Sequence, residues 1–172
     1  DCPHFQFLGN VGKIPRPLLP TNFNTMPVFE PNRDKMRQYF LTVWQKHQLK
    51  QALEPLEEII LDVILAHPEY HSQLQETFIN KDYLPEMGET NPFLHLGLHI
   101  ALYEQLSTNR PQGICSLYTE LRPLYPDPHQ LEHQIIDCLA ESLWLAQRNN
   151  SAPDEQAYLR KVKALKKKAK KR

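Results

Sequence analysis

A chain of 172 residues, 41% of them hydrophobic and with a mean hydropathy of −0.56, has enough apolar side chain for a single core, which excludes whole-chain disorder and a multidomain enzyme. Five glycines leave no material for a glycine-rich phosphate loop; the three cysteines, Cys2, Cys115 and Cys138, lack C-x-x-C spacing, so neither a disulfide framework nor a cysteine zinc site is expected, and a reducing cytoplasm fits. The formal charge of zero conceals a split, because nine basic residues and no acid lie between Arg160 and Arg172, leaving 11 basic against 20 acidic residues in 1–159.

Residues 1–27 read as an irregular leader. Pro3, Pro15, Pro17 and Pro20 interrupt it, and it has no basic segment followed by a continuous apolar stretch, so it fails as a signal peptide. Met26 stands just before the first helical pattern and is expected to be the natural start, with residues 1–25 not native. A helical domain is expected over 28–159 and a basic tail over 160–172. No segment approaches the ~20 apolar residues of a membrane helix, so no membrane partner is expected.

The first helix is predicted from a cap at Asn32 to about Lys50, with Met36, Tyr39, Phe40, Val43, Trp44 and His47 at i, i+3, i+4 intervals. A second opens at Glu54-Pro55, carries Leu56, Ile59, Ile60, Val63 and Ile64, and stops at His67-Pro68. Asn80 to Glu89 reads as helix-free. Asn91-Pro92 is a cap and first-turn proline for a helix to about Ser107, and a short helix spans Ile114–Arg122. Asp127-Pro128 starts the last long helix, to about Arg148, and Pro153-Asp154 opens a final one that merges into the tail. Strand-like alternation is lacking, so the expected class is all-α, a compact bundle of five to six helices.

Six of the eight histidines fall into pairs spaced i, i+4: His67/His71, His95/His99 and His129/His133. On a helix this step turns about 40° and rises one turn, so both imidazoles leave the same stripe, as they do where helices offer two ligands to one metal. His95 and His99 share their side with Leu96, Leu102, Tyr103 and Leu106 and therefore point into the core. A buried imidazole needs a partner at its ring nitrogens, and either a metal or ordinary hydrogen bonds will serve. His129, His133, Asp137 and Glu141 climb one stripe that also holds Trp144. Alone, such a stripe is a solvated face, but a large aromatic seldom faces water, which suggests an inward face. Glu57, Glu58 and Asp62 lie on the otherwise apolar second helix, and Glu57, among Ile60, Leu61 and Ile64, most needs a partner. The histidines of His67-Pro68-Glu69-Tyr70-His71 either supply ligands or cap the helix end.

The blocks His67-Pro68-Glu69-Tyr70-His71, Asn91-Pro92-Phe93-Leu94-His95-Leu96-Gly97-Leu98-His99, Glu104-Gln105, Pro111-x-Gly113-Ile114, and His133 to Glu141 with Trp144 and Gln147-Arg148 resemble the uncharacterised bacterial domain-of-unknown-function family number 1841. The resemblance spans roughly Val28 to Leu159 and implies a compact helical domain whose relatives begin just before a block like Phe29–Arg33. Asp137 departs from the Glu that the family pattern leads one to expect. The family has no assigned activity.

Two functional readings follow. In the first, a His/carboxylate site in the bundle core binds Fe, Mn or Zn through His95, His99, His133 and Glu141, with Glu57, His67, His71, His129 and Asp137 in reserve; a catalytic metal would activate water or dioxygen, as in an oxidoreductase or hydrolase. In the second, the protein is a non-catalytic interaction module whose residues 160–172 bind nucleic acid or an acidic protein, with truncation of the tail as the test. The plainer account of those residues is that they aid solubility or dock on the acidic body. A serine or cysteine hydrolase is a distant third, because Cys115 and Cys138 lie on expected helices and Cys138 falls on the apolar side of its helix.

Overall fold

The structure, a computed structural model, describes residues 33–83 and 90–169. The leader with His4 and Met26, the Asn32 cap, part of the stretch expected to be helix-free, and the last three tail residues lie outside them. Among the described residues all regular structure is helical: α1 (Arg33–Gln48), α2 (Pro55–Leu65), α3 (Pro92–Thr108), α4 (Ile114–Leu121), α5 (Pro128–Arg148) and α6 (Glu155–Ala169), with 3₁₀ segments at Pro68–Gln73, Glu76–Phe78 and Arg122–Leu124. The all-α expectation holds, although the 3₁₀ segments carry the number of helical elements past the five or six expected. No helix among these residues is long and apolar enough to cross a membrane. The described chain divides into two units, 33–100 and 101–169, with the division falling inside α3.

In the first unit, α1 packs against α2. Arg37, Phe40, Leu41 and Val43 are the buried residues of α1, three of them following the i, i+3, i+4 rhythm of a helix with one inward face. Arg37 is buried with its guanidinium engaged: Nη1 donates to the Ile79 and Lys81 carbonyls, and the group lies over the Tyr83 and Phe93 rings, 5.5 and 5.2 Å from their centroids. This clamps the connection after the second 3₁₀ segment onto α1 and the start of α3. Helix α2 starts at Pro55, whose missing N–H costs nothing at the first position. It buries Ile59, Ile60, Leu61, Val63 and Ile64, each contributing about 1.5–3 kcal/mol of transfer free energy. Asn91 caps α3 by accepting the Leu94 N–H at 3.2 Å.

In the second unit, α6 packs against α4 and α5. Leu131, Ile135, Ile136, Leu139, Leu143 and Ala146 of α5 and Tyr158, Val162 and Leu165 of α6 are buried. The Tyr158 hydroxyl donates to Gln105 Oε1 at 2.8 Å, which ties α6 to the end of α3. Gly113 precedes α4 with φ of 103°, a left-handed conformation that an L side chain resists, so glycine is required there.

Three helices end in the same cap without glycine. Gln51, Arg110 and Ser151 donate their N–H groups to the carbonyls of Lys46, Gln105 and Ala146, and the residues before them, Lys50, Asn109 and Asn150, have positive φ. Asparagine tolerates this conformation better than most residues, which fits a chain so poor in glycine.

The basic stretch is not a separate solvated tail over its described part. Its residues 160–169 are the body of α6, with Val162 and Leu165 buried and lysines outward, and Lys161, Lys166 and Lys168 reach Glu141, Glu120 and Gln134.

Candidate metal centre

His67 follows α2 directly, where Pro68 ends the helix. Its ring folds back on that helix, and Nδ1–H donates to the Val63 carbonyl at 2.7 Å. That hydrogen bond fixes the tautomer: the proton sits on Nδ1, and Nε2 of the neutral ring presents a lone pair. His95 and His99 stand one turn apart on α3, as their spacing predicts. His95 Nε2 lies 3.1 Å from His67 Nε2. The three ring centroids are 4.9 Å (His67–His95), 4.5 Å (His67–His99) and 5.0 Å (His95–His99) apart, all edge-on. His67 and His99 are buried and His95 is half-buried.

Ligand nitrogens of these three residues lie within 4.8 Å of one another. Around a tetrahedral ion with metal–nitrogen bonds of 2.0–2.1 Å, two nitrogens sit about 3.3 Å apart. The 3.1 Å separation of the two Nε2 atoms is close to that edge. It also suits a hydrogen bond in which His95 Nε2–H donates to the His67 lone pair, so a cation entering here displaces one proton. The Val63 carbonyl plays the part of the acceptor that commonly orients a metal-bound imidazole from behind.

Tyr70 completes the arrangement and was missed by the sequence reading. Its ring stacks on His67 at 5.9 Å and 11° and meets His95 edge-on at 5.5 Å. It is half-buried, and burial first, then the Glu69 charge, raises its pKa above the ordinary phenol value. The signal was present in the His-Pro-Glu-Tyr-His block, since a proline-led turn returns the third following residue over the histidine.

The remaining sequence candidates are placed as follows. His71 Nε2–H donates to the Ile64 carbonyl at 2.9 Å, and its ring lies 4.4 Å from that of Trp44, so it closes the α2 C-terminus. Glu57 has found its partner on α1: Lys46 Nζ lies 2.6 Å from one oxygen, and the Glu54 N–H donates to the other at 2.9 Å. The Lys46 ammonium, then the Glu54 N–H, holds the Glu57 pKa below the usual carboxylate value despite burial. Asp62 is half-buried, and its pKa is raised by desolvation and then by Glu58.

On α5 the stripe divides. His129 and His133 are 4.2 Å apart by ring centroid, but Asp137, Glu141 and Trp144 face outward. Glu141 pairs with Lys161 at 2.6 Å. Trp144 is 54% exposed and lies beneath the Arg148 guanidinium at 5.3 Å, so the inference from its aromatic bulk to an inward face is corrected: a cation, not a core, covers part of the ring. The sequence reading passed over Glu132, which is buried with Tyr118 Oη 3.5 Å from one oxygen and His129 Nδ1 3.7 Å from the other. Desolvation pushes its pKa up to about 7. Its position i−3 and i−4 from Ile135 and Ile136 was the available clue, an acid on the apolar side of the helix. Cys138 is a free, half-buried thiol whose pKa is raised above its ordinary value, first by desolvation and then by the Asp137 charge.

The described residues thus form a helical protein in which three imidazoles gather where one helix ends against the face of another. The family model described as Domain of unknown function (DUF1841) matches residues 32–164, and the chain belongs to this family. No curated protein and no solved structure matches it.

Proposed function

We propose that the protein binds one transition-metal ion through His67, His95 and His99. The observation that carries this reading is the 3.1 Å approach of two imidazole Nε2 atoms, one of which is committed to presenting a lone pair by the Val63 carbonyl. An all-imidazole donor set favours zinc or iron; manganese, which prefers carboxylate and water oxygen, suits it less. The sequence also nominates His133 as a ligand, and its alanine variant tests that separately. Such an ion supplies a Lewis acid or an acidified water. In this reading His67 and His99 hold it away from solvent, and Val63 keeps the His67 proton on the far nitrogen. Catalysis as a metal-dependent oxidoreductase or hydrolase is the extension of this reading.

Elemental analysis of untagged protein tests it. Roughly one equivalent of zinc or iron is expected in the wild type, falling below about a tenth in His95→Ala, with the helical circular dichroism preserved. Wild-type protein holding less than a tenth of an equivalent of Fe, Mn or Zn ends the reading. The alternative, a basic stretch that grips nucleic acid or an acidic protein, is weakened by the engagement of Lys161, Lys166 and Lys168 with groups of the protein itself.

A further inference from the structure

We infer that Tyr70 is a positioning residue that shields the His67–His95 pair and thereby sets how fast an ion exchanges with solvent; the inference rests on the metal reading above. Of the three imidazoles, His95 has the most solvent access, because His67 and His99 are 1% and 2% exposed and His95 is half-buried. Tyr70 touches both members of the pair whose Nε2 atoms approach each other, one through its face and one through an edge contact. It is itself half-buried, so the same ring that contacts these imidazoles also takes a share of the surface. Its placement is enforced locally: Pro68 begins the 3₁₀ segment, and the Tyr70 N–H donates to the His67 carbonyl at 3.0 Å, so the turn that ends α2 lays the phenol ring across the imidazole.

An aromatic ring over metal-bound imidazoles restrains their rotation and slows entry of water and competing ligands, while contributing no donor atom. The expected consequence is kinetic. Removing the ring leaves the number of ions bound unchanged and speeds their release.

The test loads wild type, Tyr70→Phe, Tyr70→Leu and Tyr70→Ala with Co²⁺ and follows loss of its absorption after addition of excess chelator. Tyr70→Phe should match the wild type, while Tyr70→Leu and Tyr70→Ala should release the ion about tenfold faster or more at unchanged stoichiometry, with the metal-free proteins melting together. Equal release from wild type and Tyr70→Leu overturns the inference and leaves the metal reading standing, as does release from Tyr70→Phe as fast as from Tyr70→Ala, which would assign the effect to the hydroxyl. Wild-type protein that retains no Co²⁺ overturns both. Tyr70→Leu keeps the volume of the site filled, so the comparison survives an alanine variant that fails to fold.

Discussion

Each of the two described units buries one carboxylate and presents histidines four residues apart on a helix, and the two handle them in opposite ways. In residues 33–100 the buried acid takes an amine for its partner: Glu57 pairs with Lys46 and accepts the Glu54 N–H, and the three rings face one another. In residues 101–169 acid and imidazole are mixed, with Glu132 set between the Tyr118 hydroxyl and His129. The consequence appears in the acids themselves, one held below its ordinary pKa and the other lifted to about 7. Identical spacing in sequence therefore carries different chemistry, and the neighbours decide which.

The largest effect expected from breaking this contrast is on the ion. His95→Ala should weaken zinc or iron binding at least about a hundredfold, measured by competition with a chelator of known affinity. Glu132→Gln should stabilise the metal-free protein by up to about 3 kcal/mol at pH 8. The gain should shrink as pH falls, because the raised acid penalises the folded state fully above about 7 and hardly at all below its ordinary value of 4.5, where it is neutral folded or unfolded. Urea melts at several pH values check it, and a gain independent of pH would refute it.

Lys46→Met should act with the opposite pH dependence. It leaves Glu57 buried with only its backbone donor and should lower the urea midpoint at pH 7. The stability that Glu57 contributes is present above the ordinary carboxylate range and lost as pH falls through its lowered pKa, so variant and wild type should converge in acid. The smallest effect belongs to Glu141→Gln. That pair is exposed, its removal should cost less than about 0.5 kcal/mol and less still in high salt, and bound metal should not change.

The local parts of the fold were legible. Glu54-Pro55, Asn91-Pro92 and Asp127-Pro128 each mark a helix start to the residue, because capping and the missing proline N–H are properties of a few adjacent positions. Of the His95/His99 pair, both expected to point into the core, His99 is buried and His95 only half-buried. His67 was only a reserve, since its place beside α3 depends on how the chain returns after α2, which no helical wheel contains. Glu57 was read correctly as needing a partner, but Lys46 belongs to another helix and the sequence could not choose it. On α5, the stripe logic treated 21 residues as one environment. The helix is half-buried at His133 and open at Asp137, one turn later.

The docking of α6 changes what can be learned from shortening the chain. Because Val162 and Leu165 lie on the side of that helix turned to α4 and α5, deleting residues 160–172 strips apolar cover from its neighbours along with the positive charge. Loss of any binding activity in such a fragment would confuse a damaged interior with a missing electrostatic grip. Reversing the charge of outward Lys163 and Lys167 leaves the interior whole and separates the two.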